Sequence, residues 1–285
     1  AGVKPIIGIE AYVAPESRFD KKRVQWADGG EDDVSGGGAY THMTILAENN
    51  VGLANLYKLS SLASLEGYYY KPRMDRELIS RHADGLIATT GCPGGEIQTR
   101  LRMGNYKEAM RAASDYRDIF GANNFFVELM DHQIDIETRV KDDLLKLAKE
   151  LKLPLLATND LHYTRYEDAA AHAALLCVQS GSTLADPKRF KFDNDEFYLK
   201  TPAQMRELFK DIPESCDNTL LIAERCNVTL RENENLLPAF GVPEGETEDS
   251  WLRKESVRGL LEKMGDRATE EYRTRLQYEL DVMAK

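Results

Sequence analysis

Short apolar runs that alternate with longer amphipathic stretches constrain this chain more than any other feature. Lys4-Pro5-Ile6-Ile7-Gly8-Ile9-Glu10, His42-Met43-Thr44-Ile45-Leu46-Ala47, Gly85-Leu86-Ile87-Ala88-Thr89-Thr90, Asn124-Phe125-Phe126-Val127-Glu128-Leu129 and Leu155-Leu156-Ala157 are too short for stable helices. They are rich in β-branched and aromatic residues and read as buried strands. Between them lie stretches with apolar residues three or four apart: about 51–64, about 105–120 and about 135–152, followed by an Ala-rich helix at about 166–179. Strand–helix alternation of this kind predicts parallel βα units. Functional residues placed at strand ends then favour a barrel-like α/β fold, with the site where those ends meet. A doubly wound sheet is the competing architecture. It more often carries a glycine-rich phosphate fingerprint, and neither G-x-G-x-x-G nor G-x-x-x-x-G-K-[ST] occurs.

The second half changes character. Phe190-Lys191-Phe192 and Phe197-Tyr198-Leu199-Lys200 are short β-like runs. Thr201-Pro202 then reads as the cap and first position of a helix, and another helix is expected near 215–227. Residues 233–250 read as a linker, and the last 35 as charged helix. The expected domains are thus 1–232, followed by a helical extension over 233–285.

Composition removes several classes. The net charge is −11, which argues against a domain whose main task is to grip a phosphate backbone. It leaves room for a nuclease-like site, where carboxylates hold cations. There is no apolar run of 18 residues and no basic-then-apolar leader, so no membrane span is expected and a cytoplasmic location is the default. Cys92, Cys177, Cys216 and Cys226 form no C-x-x-C pair, so neither a disulfide framework nor a zinc knuckle is indicated. The chain opens on Ala1 and runs straight into an apolar strand, which reads as part of something longer.

The candidate ligands are Glu10, His42, Cys92, Asp160 and His162. Four lie at or just past the C-terminal end of an expected strand, whereas His42 lies at the start of its own. In an extended segment Asp160 and His162 leave on the same face, a hard oxygen beside a nitrogen. A mixed set of carboxylate, imidazole and thiol suits zinc, and also manganese or iron, more than calcium or magnesium. Ordinary roles compete at each position: an ion pair for Glu10, a core histidine for His42, an inert thiol for Cys92. Gly91 and Pro93, however, pin Cys92 in a tight turn. His82 and His132 read as surface residues, with His132 near enough a strand end to reach a substrate, and His172 as packed against the barrel. Arg100, Arg102 and Arg165 follow strand ends and are candidates for phosphate contact. No nucleophile elbow is present, and a Cys92–His42 thiol mechanism would leave Asp160 and His162 unexplained.

Four stretches carry a resemblance to a known family. They are Pro5-Ile6-Ile7-Gly8-Ile9-Glu10-Ala11-Tyr12, Thr41-His42-Met43-Thr44-Ile45-Leu46-Ala47, Thr90-Gly91-Cys92-Pro93-Gly94-Gly95-Glu96 and Ala157-Thr158-Asn159-Asp160-Leu161-His162-Tyr163. The chain resembles the PHP (polymerase and histidinol phosphatase) domain of the bacterial replicative C-family DNA polymerase, the polymerase III alpha subunit, and is most like its actinobacterial members. Arg189-Phe190-Lys191-Phe192, Phe197-Tyr198-Leu199-Lys200 and Asn218 through Cys226 mark the polymerase branch and not the free-standing phosphatases.

The resemblance implies a distorted, TIM-like βα barrel with a divalent-metal cluster at its mouth, for which Glu10, His42, Cys92, Asp160 and His162 would be ligands. It implies 3′–5′ exonuclease proofreading with Asp160, His162 and Glu10 at the reacting centre, or else a silent brace for the polymerase. A small-molecule phosphoesterase is a more distant alternative. The implied partners are a DNA primer 3′ end, the other polymerase domains and replisome subunits. It also implies that an H-x-H pair, a further Asp and a further His lie upstream of Ala1, and that the polymerase palm lies beyond Lys285.

Overall fold

Each apolar run becomes a strand because it can bury at least one face under helices; the first does so only from Gly8, and its strand runs on to Val13. The structure, a computed structural model, describes residues 2–26, 36–231 and 240–285. Among them six strands form one sheet in the order β3-β1-β2-β4-β5-β6. The strands are β1 Gly8–Val13, β2 Thr41–Ala47, β3 Arg73–Met74, β4 Leu86–Thr89, β5 Phe125–Leu129 and β6 Leu155–Ala157. β1 pairs parallel with β3, and β4, β5 and β6 pair parallel with one another. β2 is antiparallel to both of its neighbours and is the one reversed strand. Among the described residues the sheet stays open at β3 and β6, a barrel that does not close on itself.

Alternation along the strands divides the side chains between two cores. Ala11 and Val13, Met43, Ile45 and Ala47, Leu86 and Ala88, and Phe125, Val127 and Leu129 face the large core under the helices. Helices α1 Asn50–Leu65, α4 Tyr106–Phe120 and α5 Asp135–Leu151 supply Leu53, Leu56 and Leu59, Ala109, Ala113 and Tyr116, and Val140, Leu144 and Leu147 to it. Tyr57, on the same helix, is exposed. The opposite face is concave and smaller. Ile87, Phe126 and Leu156 pack there against Ile222 and Cys226, which lie on and just after α8 Pro213–Arg225. This plug fills one end of the concave face and leaves the other end to polar residues.

Asn49 caps α1: its side-chain oxygen accepts from the amides of Val51 (2.9 Å) and Gly52 (3.1 Å). Asn49→Ala is expected to cost about 1 kcal/mol, read as a lower urea midpoint at unchanged slope. The remaining helices of this unit are α2 Arg76–Arg81, α3 Glu96–Arg102, α6 Ala169–Ser180 and α7 Pro202–Leu208. Thr201 caps α7 and Pro202 occupies its first turn, as the sequence predicts. The runs at 190–192 and 197–200 form no strand; a single bridge joins Tyr198 to Tyr163.

The chain divides into two units, Ala1–Leu230 and Arg231–Lys285. In the second, α9 Glu248–Met264 and α10 Glu270–Met283 are tied by an Arg253–Asp281 ion pair of 2.6 Å. Residues 27–35 of the first long loop and 232–239 of the expected linker lie outside the described residues. No helix among the described residues is long and apolar enough to cross a membrane.

Candidate metal centre

The reversal of β2 settles where His42 goes. It stands at the start of its strand, and in a reversed strand the start lies at the edge where β4, β5 and β6 end. Glu10 is not at a strand end, as expected, but third of six residues in β1. The β1–β2 register places Tyr12 opposite His42 and Glu10 opposite Thr44, so Glu10 and His42 share the concave face one pair apart. His42 Nδ1 then lies 2.9 Å from Glu10 Oε1 and 3.3 Å from Cys92 Sγ.

Cys92 reaches this point through a constrained turn. Gly91 has φ +79°, and a Cβ there would meet the His42 carbonyl oxygen at 2.9 Å. Beyond Cys92, the amide of His42 donates to the Gly94 carbonyl at 3.0 Å, and a Cβ on Gly94 would press on the imidazole. Buried Gln98 staples the turn through Thr90 Oγ1 (3.0 Å) and the Gly91 carbonyl (2.6 Å). The cysteine is thus aimed by its loop and not merely packed.

One ligand-capable atom from each of Glu10, His42 and Cys92 lies within 4.8 Å of the others. Tetrahedral zinc with bonds of about 2.0–2.3 Å sets its donors about 3.3–3.8 Å apart. Of the two imidazole contacts, 3.3 Å to Cys92 meets the lower end of that spacing, and 2.9 Å to Glu10 is a hydrogen-bond distance that would open as a cation entered. Oxygen, nitrogen and sulfur donors on one small perimeter fit a borderline-soft divalent cation. Electrostatics agrees. Bonding to His42 holds the Glu10 carboxyl below its usual range, against its partial burial. Burial, with the negative charge of Asp160, pushes the Cys92 thiol well above its usual range. A positive charge among these groups would reverse that push, since a thiol deprotonates when it coordinates.

Asp160 and His162 form a second pair, with Asp160 Oδ1 3.5 Å from His162 Nε2. They do not meet by strand alternation. β6 ends at Ala157, and Asp160 has φ +39°, so a turn brings the two side chains together. Burial pushes the Asp160 carboxyl up, but the His162 imidazole, helped by His132 and His42, holds it below the usual range. The two groups of residues sense each other: Asp160 acts on both Glu10 and Cys92.

Other expectations fare differently. His132 is not a surface residue; it is 1% exposed. Its Nδ1 lies 2.6 Å from Glu137 Oε1, its Nε2 donates to the Asn159 carbonyl at 2.7 Å, and its ring stacks on Phe197 at 4.0 Å. It clamps the residue before Asp160. Burial opposes the charged form, but Glu137 and the Asn159 carbonyl outweigh it and raise the His132 pKa. A raised pKa stabilises the fold below the unfolded value of about 6.5, and that contribution fades as pH rises through the folded value. The melting-temperature deficit of His132→Phe relative to the native chain is therefore expected to be largest below about pH 6.5 and to narrow as pH rises above it. Arg100 is committed to Glu96 (2.9 Å) and to the face of Trp26 (4.5 Å). Arg102 donates to the Pro93 carbonyl at 2.7 Å. Both are thus engaged within the chain. His172, expected to pack, lies 5.4 Å from the His162 ring.

Sequence reasoning missed Glu128. It sits on the concave face of β5, buried, between the polar ends of β4 and β6. It accepts from Thr89 Oγ1 on one side and from Thr158 Oγ1 (2.6 Å) on the other. Burial pushes its carboxyl up, and these hydroxyls only partly offset that. The turn before Cys92 and the turn before Asp160 are thereby tied to one carboxylate. The signal was available: one charged residue inside an otherwise apolar five-residue strand, FFVEL.

Comparison with known proteins adds the family. Residues 1–132 match the PHP domain family. The DNA polymerase III subunit alpha of Mycobacterium tuberculosis is 53% identical over 289 residues, covering 99% of this chain and 24% of that protein. That of Saccharopolyspora erythraea is 54% identical, covering 99% of this chain and 25% of that protein, and that of Thermus aquaticus 44%, covering 95% and 22%. The chain spans about a quarter of the length of the curated relatives it matches. Asp160 and His162 lie beyond the family match but inside the aligned relatives. Residues 1–132 are therefore a PHP domain, in a chain that aligns over nearly its whole length with the DNA polymerase III alpha subunit of actinobacteria and other bacteria.

Proposed function

We propose that this chain is part of a bacterial replicative DNA polymerase. In this reading its concave site hydrolyses the terminal phosphodiester of a primer 3′ end, a proofreading 3′–5′ exonuclease. The observation that carries the reading is the Glu10–His42–Cys92 cluster, with the Asp160–His162 pair facing it. Glu10, His42, Cys92, Asp160 and His162 would hold divalent cations, zinc foremost and manganese or iron as alternatives. Bound there, such a cation supplies Lewis acidity towards a phosphoryl oxygen and lowers the pKa of water.

The side chains do the rest. Glu10 and Asp160 bring negative charge that offsets the cations, so that a phosphodiester enters a site of balanced charge. The Asp160 carboxylate is kept ionised by His162 and so presents an acceptor oxygen that orients the attacking water. The hydrogen-bonded bridge Thr89–Glu128–Thr158 ties the two ligand-bearing turns together. DNA, the remaining polymerase domains and replisome subunits are the partners this reading requires.

A brace for the polymerase is the second reading. It is favoured by the way His42 bonds Glu10 and Cys92 directly, which closes the cluster without further help. One experiment separates the two. The chain is incubated with zinc or manganese and a primer–template carrying a 3′ mismatch. Release of the terminal nucleotide is expected; an intact 3′ end leaves only the brace.

A further inference from the structure

The bond from His132 to the Asn159 carbonyl joins two strained places. Four non-glycine residues among the described ones have positive φ, and two of them directly follow the two ends of this bond: Gln133 at +59° and Asp160 at +39°. Side chains with a Cβ rarely adopt that region, and residues held there persist only where their surroundings over-determine them. Glu137, buried in the first turn of α5, supplies one side of those surroundings. It accepts from the His132 amide through Oε2 at 2.7 Å and from the ring Nδ1 through Oε1 at 2.6 Å. The other ring nitrogen, Nε2, donates to the Asn159 carbonyl at 2.7 Å. Both ring nitrogens face acceptors, so both carry protons and the ring is an imidazolium.

Residues 194–198 close the frame from the far side. Asn194 Nδ2 donates to the His132 carbonyl, and Asn159 Nδ2 donates to the Tyr198 carbonyl. Phe197 lies along the His132 ring, 13° from parallel, and its carbonyl accepts from the His162 amide at 3.0 Å. A buried ion pair is a poor way to stabilise a fold, since well-packed apolar residues in its place often do as well or better. What a charged donor adds is direction. Here it points at one backbone oxygen, and the planar peptide that carries this oxygen also carries the amide of Asp160. Fixing that plane fixes φ of Asp160. The left-handed turn that results sets Asp160 Oδ1 3.5 Å from His162 Nε2.

We propose that His132, oriented by Glu137, is a positioning residue for Asp160: it fixes the Asn159–Asp160 peptide plane and so sets Asp160 and His162 to meet one cation. This rests on the reading of Asp160 and His162 as ligands, but the arrangement it describes is built before any metal arrives. His132 touches neither cation nor substrate and acts through a backbone carbonyl. Loss of the Nε2 donor frees the peptide to turn, φ of Asp160 relaxes towards negative values, and the carboxylate leaves the imidazole it faces.

Three substitutions separate the bond from the packing. His132→Phe keeps a ring on Phe197 and loses the donor. His132→Gln carries an amide nitrogen to the place of Nε2 and keeps the donor. His132→Met matches Gln in length and has no donor, so the Met and Gln pair decides the matter even where the Phe variant fails to fold. Thermal melts serve as the folding control. Two measurements are made on the full chain. The first needs no metal: the imidazole Cε1–H signal of His162, followed by NMR in EDTA and identified by its loss in His162→Gln. The second is a cobalt(II) titration, which reads the dissociation constant and the visible d–d bands. The Phe and Met variants are expected to shift the His162 signal and to bind cobalt about 10–100-fold more weakly. The Gln variant is expected to keep the native signal and to stay within about threefold in affinity. An unmoved His162 signal in the Phe and Met variants, or a Gln variant that behaves like Met, overturns the proposal. So does cobalt affinity equal in the native, Phe and Met forms, which would leave the ligand reading intact. A His162 signal that follows these expectations in a chain that binds no cobalt would end the ligand reading and leave His132 as the residue that places Asp160.

Discussion

His42→Ala is expected to strip the protein of bound metal. His42 is the member of the cluster that touches both others, through Glu10 Oε1 at 2.9 Å and Cys92 Sγ at 3.3 Å. Loss of a partner that merely orients a ligand weakens metal affinity by about 10–100-fold; loss of the ligand at the centre of the set is expected to exceed about 100-fold. The fold should survive, because the imidazole lies on the concave face and not in the large core. The measurement is zinc or manganese content after equilibration against a chelating buffer, with circular dichroism as the folding control. Metal content equal to that of the native chain would remove His42 from the site. Absence of transition metal from the native chain would end the metal reading altogether.

The second large effect is on stability. Glu128→Ala leaves the buried Thr89 hydroxyl and the half-buried Thr158 hydroxyl without their acceptor, and opens a small cavity beneath the site. Each unsatisfied buried group costs about 1–3 kcal/mol, so a loss of about 2–4 kcal/mol is expected in urea unfolding. Glu128→Gln keeps one acceptor oxygen and should lose less. The sign with pH is distinctive. A folded carboxyl pushed above its unfolded value makes the ionised form a burden, so the native chain gains from protonating Glu128 as pH falls through the folded value. Glu128→Gln lacks that gain, and its deficit should widen towards acid pH. A deficit under about 1 kcal/mol for the alanine variant would mean that water replaces the carboxylate at no loss.

Much of the architecture was legible because periodicity survives in one chain. Apolar residues three or four apart announced α1, α4 and α5, and Thr201-Pro202 announced α7. Strand direction left no such mark. A buried strand reads the same whichever way it runs, so the reversal of β2 was invisible, and His42 looked misplaced at the wrong end. β3, two residues long, is too short to carry any period. The ligand types were legible as chemistry, but how they gather was not. Asp160 and His162 meet through a residue of positive φ, and His132, read as exposed, is buried by a stack on Phe197 from a segment far along the chain. That same segment holds His162 in place: the His162 amide donates to the Phe197 carbonyl at 3.0 Å. Glu128 was overlooked because an apolar strand was read for its majority and not for its exception.

The β1–β2 pairing has a consequence for how such a chain can change over time. One register does two jobs: it buries Met43, Ile45 and Ala47, and it sets His42 beside Glu10. A slip by one residue would turn the core residues outward and put Thr41 or Met43 where the imidazole belongs. Deletions inside β2 are therefore penalised by folding before chemistry is ever tested. Insertions in the long connection between Val13 and Thr41 leave both jobs untouched. Length variation among descendants should thus collect in that connection, and the ligand spacing within each strand should stay fixed even in lineages that no longer use the metal.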